Sequence, residues 1–562
     1  MRIVAALLRW RLVIAAKVVR ERDLARLLVA LAFVVVFAVV MVGEYHFFTR
    51  SFRAVATLGV AGPPLTLYAL EGFFVLVLVL GILSVVATGS TVFFRVAENR
   101  LLLSTPVPIR SLFVLRGVET FLLTSWAFAL LAAPALIALG VSHHRAAGFY
   151  AIGAGLLLGF LVFAGALGTL LTMVFGALLG HFRSRLAIMG LTALLLIIAA
   201  LLVGRSVVPT RADFATMFEP GRLNGTTIAL HFVEEKFARW PSHAFAASVF
   251  GLATGQGSHP ARTFAWGLAL PVLALAAAYW AGGALFRRVV WRAAEGVLAA
   301  RAEGDAVPPR GWPTFPVVLR GPVGGLLEKE LLTLLRTPQE LGRAAFLAFL
   351  LLLYTFFFLR VPVPEDAGTE DVTARLIAFS LLAAGYFLTT LALRFVFPSL
   401  SLEGRSVWIL LASPARLRAL FWAKLALYSL AGFVGLGGIS LAGGQRLGLS
   451  PAGLALFGTL LALMSVTIVT VALSLGVCWP DFRGRNAEAL ATSGGGLLTT
   501  LLCLVYVAGT GWLGYRLLLA HLTRAPAGRV AWFLGGAVLW AAIVAAGPLR
   551  AAWRRRAAVD LG

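Results

Sequence analysis

The sequence predicts an all-α polytopic membrane protein, and three observations carry that expectation. Of its 562 residues, 60% are hydrophobic and 13% are charged, where a soluble chain carries roughly 25% charged residues. The mean hydropathy is +0.93. Long apolar runs recur from end to end; at roughly 20 residues per crossing, about 12 crossings would use less than half of the chain.

The runs place membrane helices near 27–47, 65–87, 118–139, 149–179, 186–203 and 265–285, then near 344–359, 376–397, 420–443, 451–479, 490–514 and 530–549. Counting Lys and Arg in alternate connections tests the scheme, because cytoplasmic loops concentrate them. The two termini and the even-numbered connections hold 33, and the odd-numbered connections hold 15. Six of those 15 lie in the long connection 204–264, where charge says little about orientation. Both termini are therefore expected on the cytoplasmic side. The stretch 2–26 is broken by Arg9, Arg11 and Lys17 and shows no small-residue cleavage site, so it reads as an interfacial amphipathic helix, not a signal peptide.

The net charge of +24 comes from basic residues scattered between apolar runs, without a nucleic-acid recognition module. Lipid, not nucleic acid, is the expected partner. Arg outnumbers Lys by 44 to 4, as in a GC-rich bacterial genome, and points to a bacterial inner membrane. Cys478 and Cys503 lie in or beside apolar runs and support neither a disulfide framework nor a metal cluster.

Similar strings recur at about half the chain length, and such repeats set architecture before local detail does. ENRLLLSTPVPIRSLFVLR at 98–116 matches EGRSVWILLASPARLRALFWAK at 403–424, pairing Pro106 with Pro414, Arg110 with Arg418, Phe113 with Phe421 and Arg116 with Lys424. GHFRSR at 180–185 matches PDFRGR at 480–485, and the basic amphipathic stretch 2–26 matches 326–343. Each pair falls at the same point of a six-helix unit. Two halves of six helices share one orientation and are related by a twofold along the membrane normal. The expected domains are a first half at 1–285, a cytoplasmic linker with a second amphipathic helix at 286–343, and a second half at 344–562.

No GxxxxGK[ST] phosphate loop occurs, and the four lysines at 17, 236, 329 and 424 lack the preceding glycines. The chain itself is therefore expected to hold no nucleotide and not to be an enzyme. SGGG at 493–496 lies inside an apolar run, where small residues serve close helix packing. His143 and His144 beside Arg145 read as loop histidines without a third metal ligand. Among ionisable residues within spans, which are costly and so functional candidates, Glu71 either lines a transport path or sits at the interface. Glu119 is placed to pair with Arg116 at i and i+3.

LEGRSVWILLASPARLRALFWAK at 402–424, WPDFRGRNAEALATSGGGLL at 479–498 and RWPSHAFA at 239–246 resemble connections in the ABC-2 type exporter permeases, here with both transmembrane halves fused. That resemblance implies the type V exporter-like fold, export driven by two separate ABC ATPase subunits that carry ATP and Mg, and a loop after the second helix of each half seated against an ATPase. It also implies partly embedded helices before the sixth helix, which 204–264 accommodates; only 515–529 separates the last two helices of the second half. Carried onto this sequence, the coupling set is Glu98, Arg100, Pro106 and Arg110 in the first half and Glu403, Arg405, Pro414 and Arg418 in the second. A proline cannot continue the preceding helix, so Pro106 and Pro414 would begin a new one, with Arg110 and Arg418 a turn further on. Those arginines meet either a partner carboxylate or lipid phosphates. An ion-coupled secondary transporter and a lipid-linked sugar transferase are rival readings, weakened by the few intramembrane carboxylates and by the missing external acidic pair.

Overall fold

The computed structural model describes residues 24–94, 107–179, 185–208, 225–256, 260–289, 370–406, 417–480 and 493–559, with isolated positions between them. The amphipathic stretches, nearly all of the linker and most of the expected span at 344–359 lie outside the described residues. So do Glu98, Arg100, Pro106 and Pro414.

All regular structure among the described residues is helical. In chain order it comprises α1 (Leu24–Ala56), α2 (Gly62–Phe94), α3 (Ile109–Ser142), α4 (Ala147–Leu179), α5 (Arg185–Val207), α6 (Gly225–Phe237), α7 (His243–Thr254) and α8 (Pro260–Ala277). A π-turn at Ala278–Gly282 prolongs α8. Then come α9 (Glu370–Leu391), α10 (Leu417–Gly432), α11 (Gly438–Arg446), α12 (Pro451–Cys478), α13 (Gly494–Leu522) and α14 (Ala527–Val559). The chain forms two compact units, one mainly Val34–Trp312 and the other mainly Val363–Gly562.

Nine segments among the described residues are long and apolar enough to cross a membrane, supplied by α2, α3, α4, α8, α9, α10 with α11, α12, α13 and α14. This is a multi-pass membrane protein. Of the 12 expected spans, those near 27–47, 186–203 and 344–359 lie partly or mostly outside the residues over which such segments are described. Helix α3 begins at Ile109 rather than near 118. The outward faces carry bare large side chains, among them Leu122, Leu123, Val272, Trp280, Val434 and Trp532, all more than half exposed; lipid tails are the medium that tolerates them.

Within such a medium, hydrogen bonds and close contact hold helices together. In the second unit Ser465 Oγ donates to the Ser429 carbonyl at 2.7 Å, and Trp540 Nε1 donates to the Tyr506 carbonyl at 3.2 Å. Turns are closed by left-handed residues. His144 (φ 51°) ends α3 and Gly448 (φ 79°) ends α11. The following amides, Arg145 and Leu449, donate back to Gly140 and Gly444 at 2.9 and 3.1 Å, the helix-stop geometry that satisfies orphan carbonyls. Ser450 and Ser493 start α12 and α13 by accepting from the Gly453 and Gly496 amides at 3.1 and 3.3 Å.

Helix α12 is the most enclosed, with 78% of its apolar window buried. At its end a Cβ on Gly476 would collide with the carbonyl oxygen of Phe397, a backbone atom that cannot rotate away. Gly476→Ala should therefore cost about 1–3 kcal/mol, read as a lower thermal midpoint of the detergent-solubilised protein; an unchanged midpoint would show that α12 and Phe397 do not approach this closely.

Candidate functional site

Helix α2 carries the first group of functional side chains near its start. Glu71 is fully buried, and its Oε1 lies 2.6 Å from Nδ1 of His243, the first residue of α7. A carboxylate there accepts from Nδ1–H and fixes the ring. Phe74 of α2, three residues after Glu71, and Phe245 of α7, two after His243, both pack on Phe160 of α4 at ring-centroid distances of 4.9 and 5.1 Å. The sequence offered Glu71 as a path-lining or interfacial residue; the structure encloses it beneath α7.

The far end of α7 is held by a second charge. Arg145, in the turn after α3, donates from Nε to the Ala253 carbonyl at 2.7 Å, where a helix C-terminus presents unsatisfied oxygens. Gly255 (φ 75°) then terminates the helix. One turn before Glu71 on α2, Tyr68 accepts at its hydroxyl from Lys236 Nζ of α6 at 2.9 Å, and Lys236 also pairs with Asp213 Oδ2 at 2.6 Å. Asp213 and Thr210 bond reciprocally through side chain and amide, at 2.7 and 3.3 Å, as in a capping box. Burial works against the Asp213 carboxylate, but the Lys236 and Thr210 hydrogen bonds prevail and hold it below the usual carboxylate range. Helix α7 is thus tied to α2 by the His243–Glu71 pair and α6 by the Lys236 hydrogen bond to Tyr68, while the α3–α4 turn holds the end of α7 through Arg145.

A second group lies at the other end of the spans. Arg116, 1% exposed, donates to Glu119 at 2.6 Å, the i and i+3 pair that the spacing predicts. Phe113, three residues earlier, joins Phe93 and Phe286 at centroid distances of 5.6 Å to each. In the second unit the sequence-matched Phe421 meets Trp553 of α14 at 5.4 Å, and the matched Lys424 is likewise 1% exposed. Its Nζ donates to the Ser399 carbonyl at 3.3 Å and to Glu403 Oε1 at 3.4 Å.

Of the eight residues expected to couple, two have described side chains. Arg110 is exposed, with its guanidinium 5.4 Å from the Trp280 ring centre and 6.0 Å from that of Tyr279. Glu403 turns inward to Lys424. Arg405 and Arg418 lie in the 3-10 segment Ser401–Ser406 and in α10.

A family model described as "Putative ATP-binding cassette" matches residues 21–561. The chain belongs to this ATP-binding cassette family. No curated protein and no solved structure matches. Membership corrects two expectations: that the chain has no nucleotide-binding part of its own and is no enzyme, and that ATP and Mg are held by partners alone. The family description covers nearly the whole chain and associates it with ATP binding. Those expectations rested on the missing GxxxxGK[ST] loop, which excludes one way of cradling phosphates and not nucleotide binding as such. Ser493 of SGGG is engaged by the Gly496 amide, and the space beside Gly495 is filled by the rings of Phe397 and Trp479. No three His, Cys, Asp or Glu side chains gather as metal ligands among the described residues.

The Glu71 and His243 contact gives a pH dependence. Burial disfavours the charged ring, yet the Glu71 hydrogen bond and the Glu71 and Glu234 charges outweigh it, against Arg262, and raise His243 above the usual histidine range. A raised pKa contributes stability that is complete below the unfolded value of about 6.5 and is lost as pH climbs through the folded one. The amides of 243–254, corrected for intrinsic exchange, should be best protected at mildly acidic pH and lose protection above it. Glu71→Gln keeps an acceptor oxygen and removes the charge, so it should flatten this profile; a Glu71→Gln profile identical to wild type would remove the pair from the account.

Proposed function

We propose that the chain forms the membrane-spanning pathway of an ATP-binding cassette exporter of the ABC-2 type, in the inner membrane of a bacterium. Membership of the cassette family and the multi-pass helical architecture support that reading. The observation that carries it is the matched packing at the exit ends of α2 and α9: an aromatic contact from the third helix of each half to the sixth, Phe113 to Phe286 and Phe421 to Trp553, beside an enclosed cation, Arg116 or Lys424. Two halves built alike at one end offer two equivalent seats for ATPase modules. The charge split supports a cytoplasmic position for these ends and an external one for α6, α7 and the Glu71 cluster.

In this reading, nucleotide-driven closure of two ATPase modules moves the segments 98–116 and 403–424, and the halves rock to open the pathway outward. Substrate enters the scheme only by binding the two states with different free energy. Helices α6 and α7 cap the outer side of the first half, held by Glu71, Lys236 and Arg145, and the second half, with its short connection between α13 and α14, has no equivalent of that length. The outer gate is accordingly asymmetric.

Arg110 stacks on Trp280 and Tyr279 and keeps its fork free for a carboxylate, which Lys cannot engage in the same bidentate way. The double change Arg110→Glu and Arg418→Glu should release the ATPase modules or abolish substrate-stimulated hydrolysis by the purified complex, while the chain still inserts. A correctly inserted double variant with full ATPase association and stimulation would refute the coupling role.

A further inference from the structure

We infer that Lys424 is a positioning residue that staples the second cytoplasmic turn to the start of the third helix, so that Glu403 serves inside the protein and not as a contact for an ATPase module. The inference rests on the coupling role proposed above and deepens it.

Three facts about the turn lead there. Helix α9 does not simply stop: it passes into a π-turn at Ala392–Val396 and two 3-10 segments, Phe397–Ser399 and Ser401–Ser406. Such tight turns leave carbonyls without helical partners, and those carbonyls carry the partial negative charge of a helix end. Yet Phe397, Leu400 and Ser401 are all buried, so water cannot satisfy the turn and the protein must.

Lys424 meets that need from the neighbouring helix. Its ammonium, enclosed with the rest of the side chain, reaches both the Ser399 carbonyl and the Glu403 carboxylate. A cation withdrawn from solvent is costly unless it is paired and hydrogen-bonded; one aimed at a carbonyl and a carboxylate of the same turn has both partners. The turn is gripped from two other sides as well, by α12 at Gly476 against the Phe397 carbonyl and by α13 at Gly495 against the Phe397 ring. Motion delivered at 403–406 is therefore passed into α10, α12 and α13 together, and the Lys424 contacts supply the ionic link to α10. Arg116 occupies the matched register of the first half, equally enclosed and also paired to a carboxylate, which is an independent instance of a buried cation at this point of the repeat.

Truncating Lys424 alone would withdraw a cation from beside Glu403 and leave its carboxylate charge in place, so the informative variant neutralises both: Lys424→Met with Glu403→Gln. In the full chain reconstituted in nanodiscs, amide exchange across 397–406 should accelerate about tenfold or more while the other helices keep their protection. In the complex purified through this chain, kcat for ATP hydrolysis should fall about fivefold or more with the KM for ATP unchanged. The exchanged pair, Lys424→Glu with Glu403→Lys, should recover both, which a role in mere packing would not allow. Unchanged exchange in the neutral pair, or an inserted exchanged pair that stays unprotected, overturns the staple. Accelerated exchange with unaltered kcat and KM leaves the staple in place but refutes its part in coupling, and with it the coupling role of this turn.

Discussion

The cost of enclosing charge in a membrane protein organises this molecule. Glu71, Arg116 and Lys424 are almost completely withdrawn from solvent, in a chain where only 13% of residues are charged at all. A side chain of that kind persists only where its surroundings supply opposite charge and hydrogen bonds. Each of the three does find a partner: Glu71 on α7 and Lys424 on the turn after α9, segments that a simple bundle would not need, and Arg116 within α3 itself, at Glu119. The ionic points thereby mark the two ends of the spans where helices meet connecting segments.

Between those ends the packing is apolar and close. Aromatic rings fill the first unit around Phe74, Phe160 and Phe245, and small residues let α12 and α13 approach Phe397 in the second. Lipid is as apolar as leucine, so contact and interhelical hydrogen bonds, not exclusion of water, favour this arrangement. In the proposed transport cycle, this closely packed middle with ion-paired ends is what would let the halves rock as bodies.

Much of this was legible in the sequence. The apolar runs located the spans, the Arg116 and Glu119 spacing located their pair, and the small residues of SGGG indicated packing, which Gly495 makes against Phe397 and Trp479. What escaped was whatever depended on distant pairing. His243 lies in the RWPSHAFA string, but 172 residues separate it from Glu71, and no periodicity joins them. Glu403 was placed in the coupling set with no sign of Lys424 beside it, because a lysine inside an apolar run does not show which carboxylate it meets. The nucleotide expectation failed because it took one phosphate-binding motif for all of them.

The central claim is that ATP-driven movement enters the membrane part through the two matched cytoplasmic segments. A hydrogen-exchange difference map of the complex purified through this chain, with and without Mg·ATP, measures this directly. The account predicts altered exchange concentrated at 98–116 and 403–424, with the Glu71 and α7 region responding in the same samples. Nucleotide-dependent changes confined to other parts of the chain, with both segments unaltered, would contradict it.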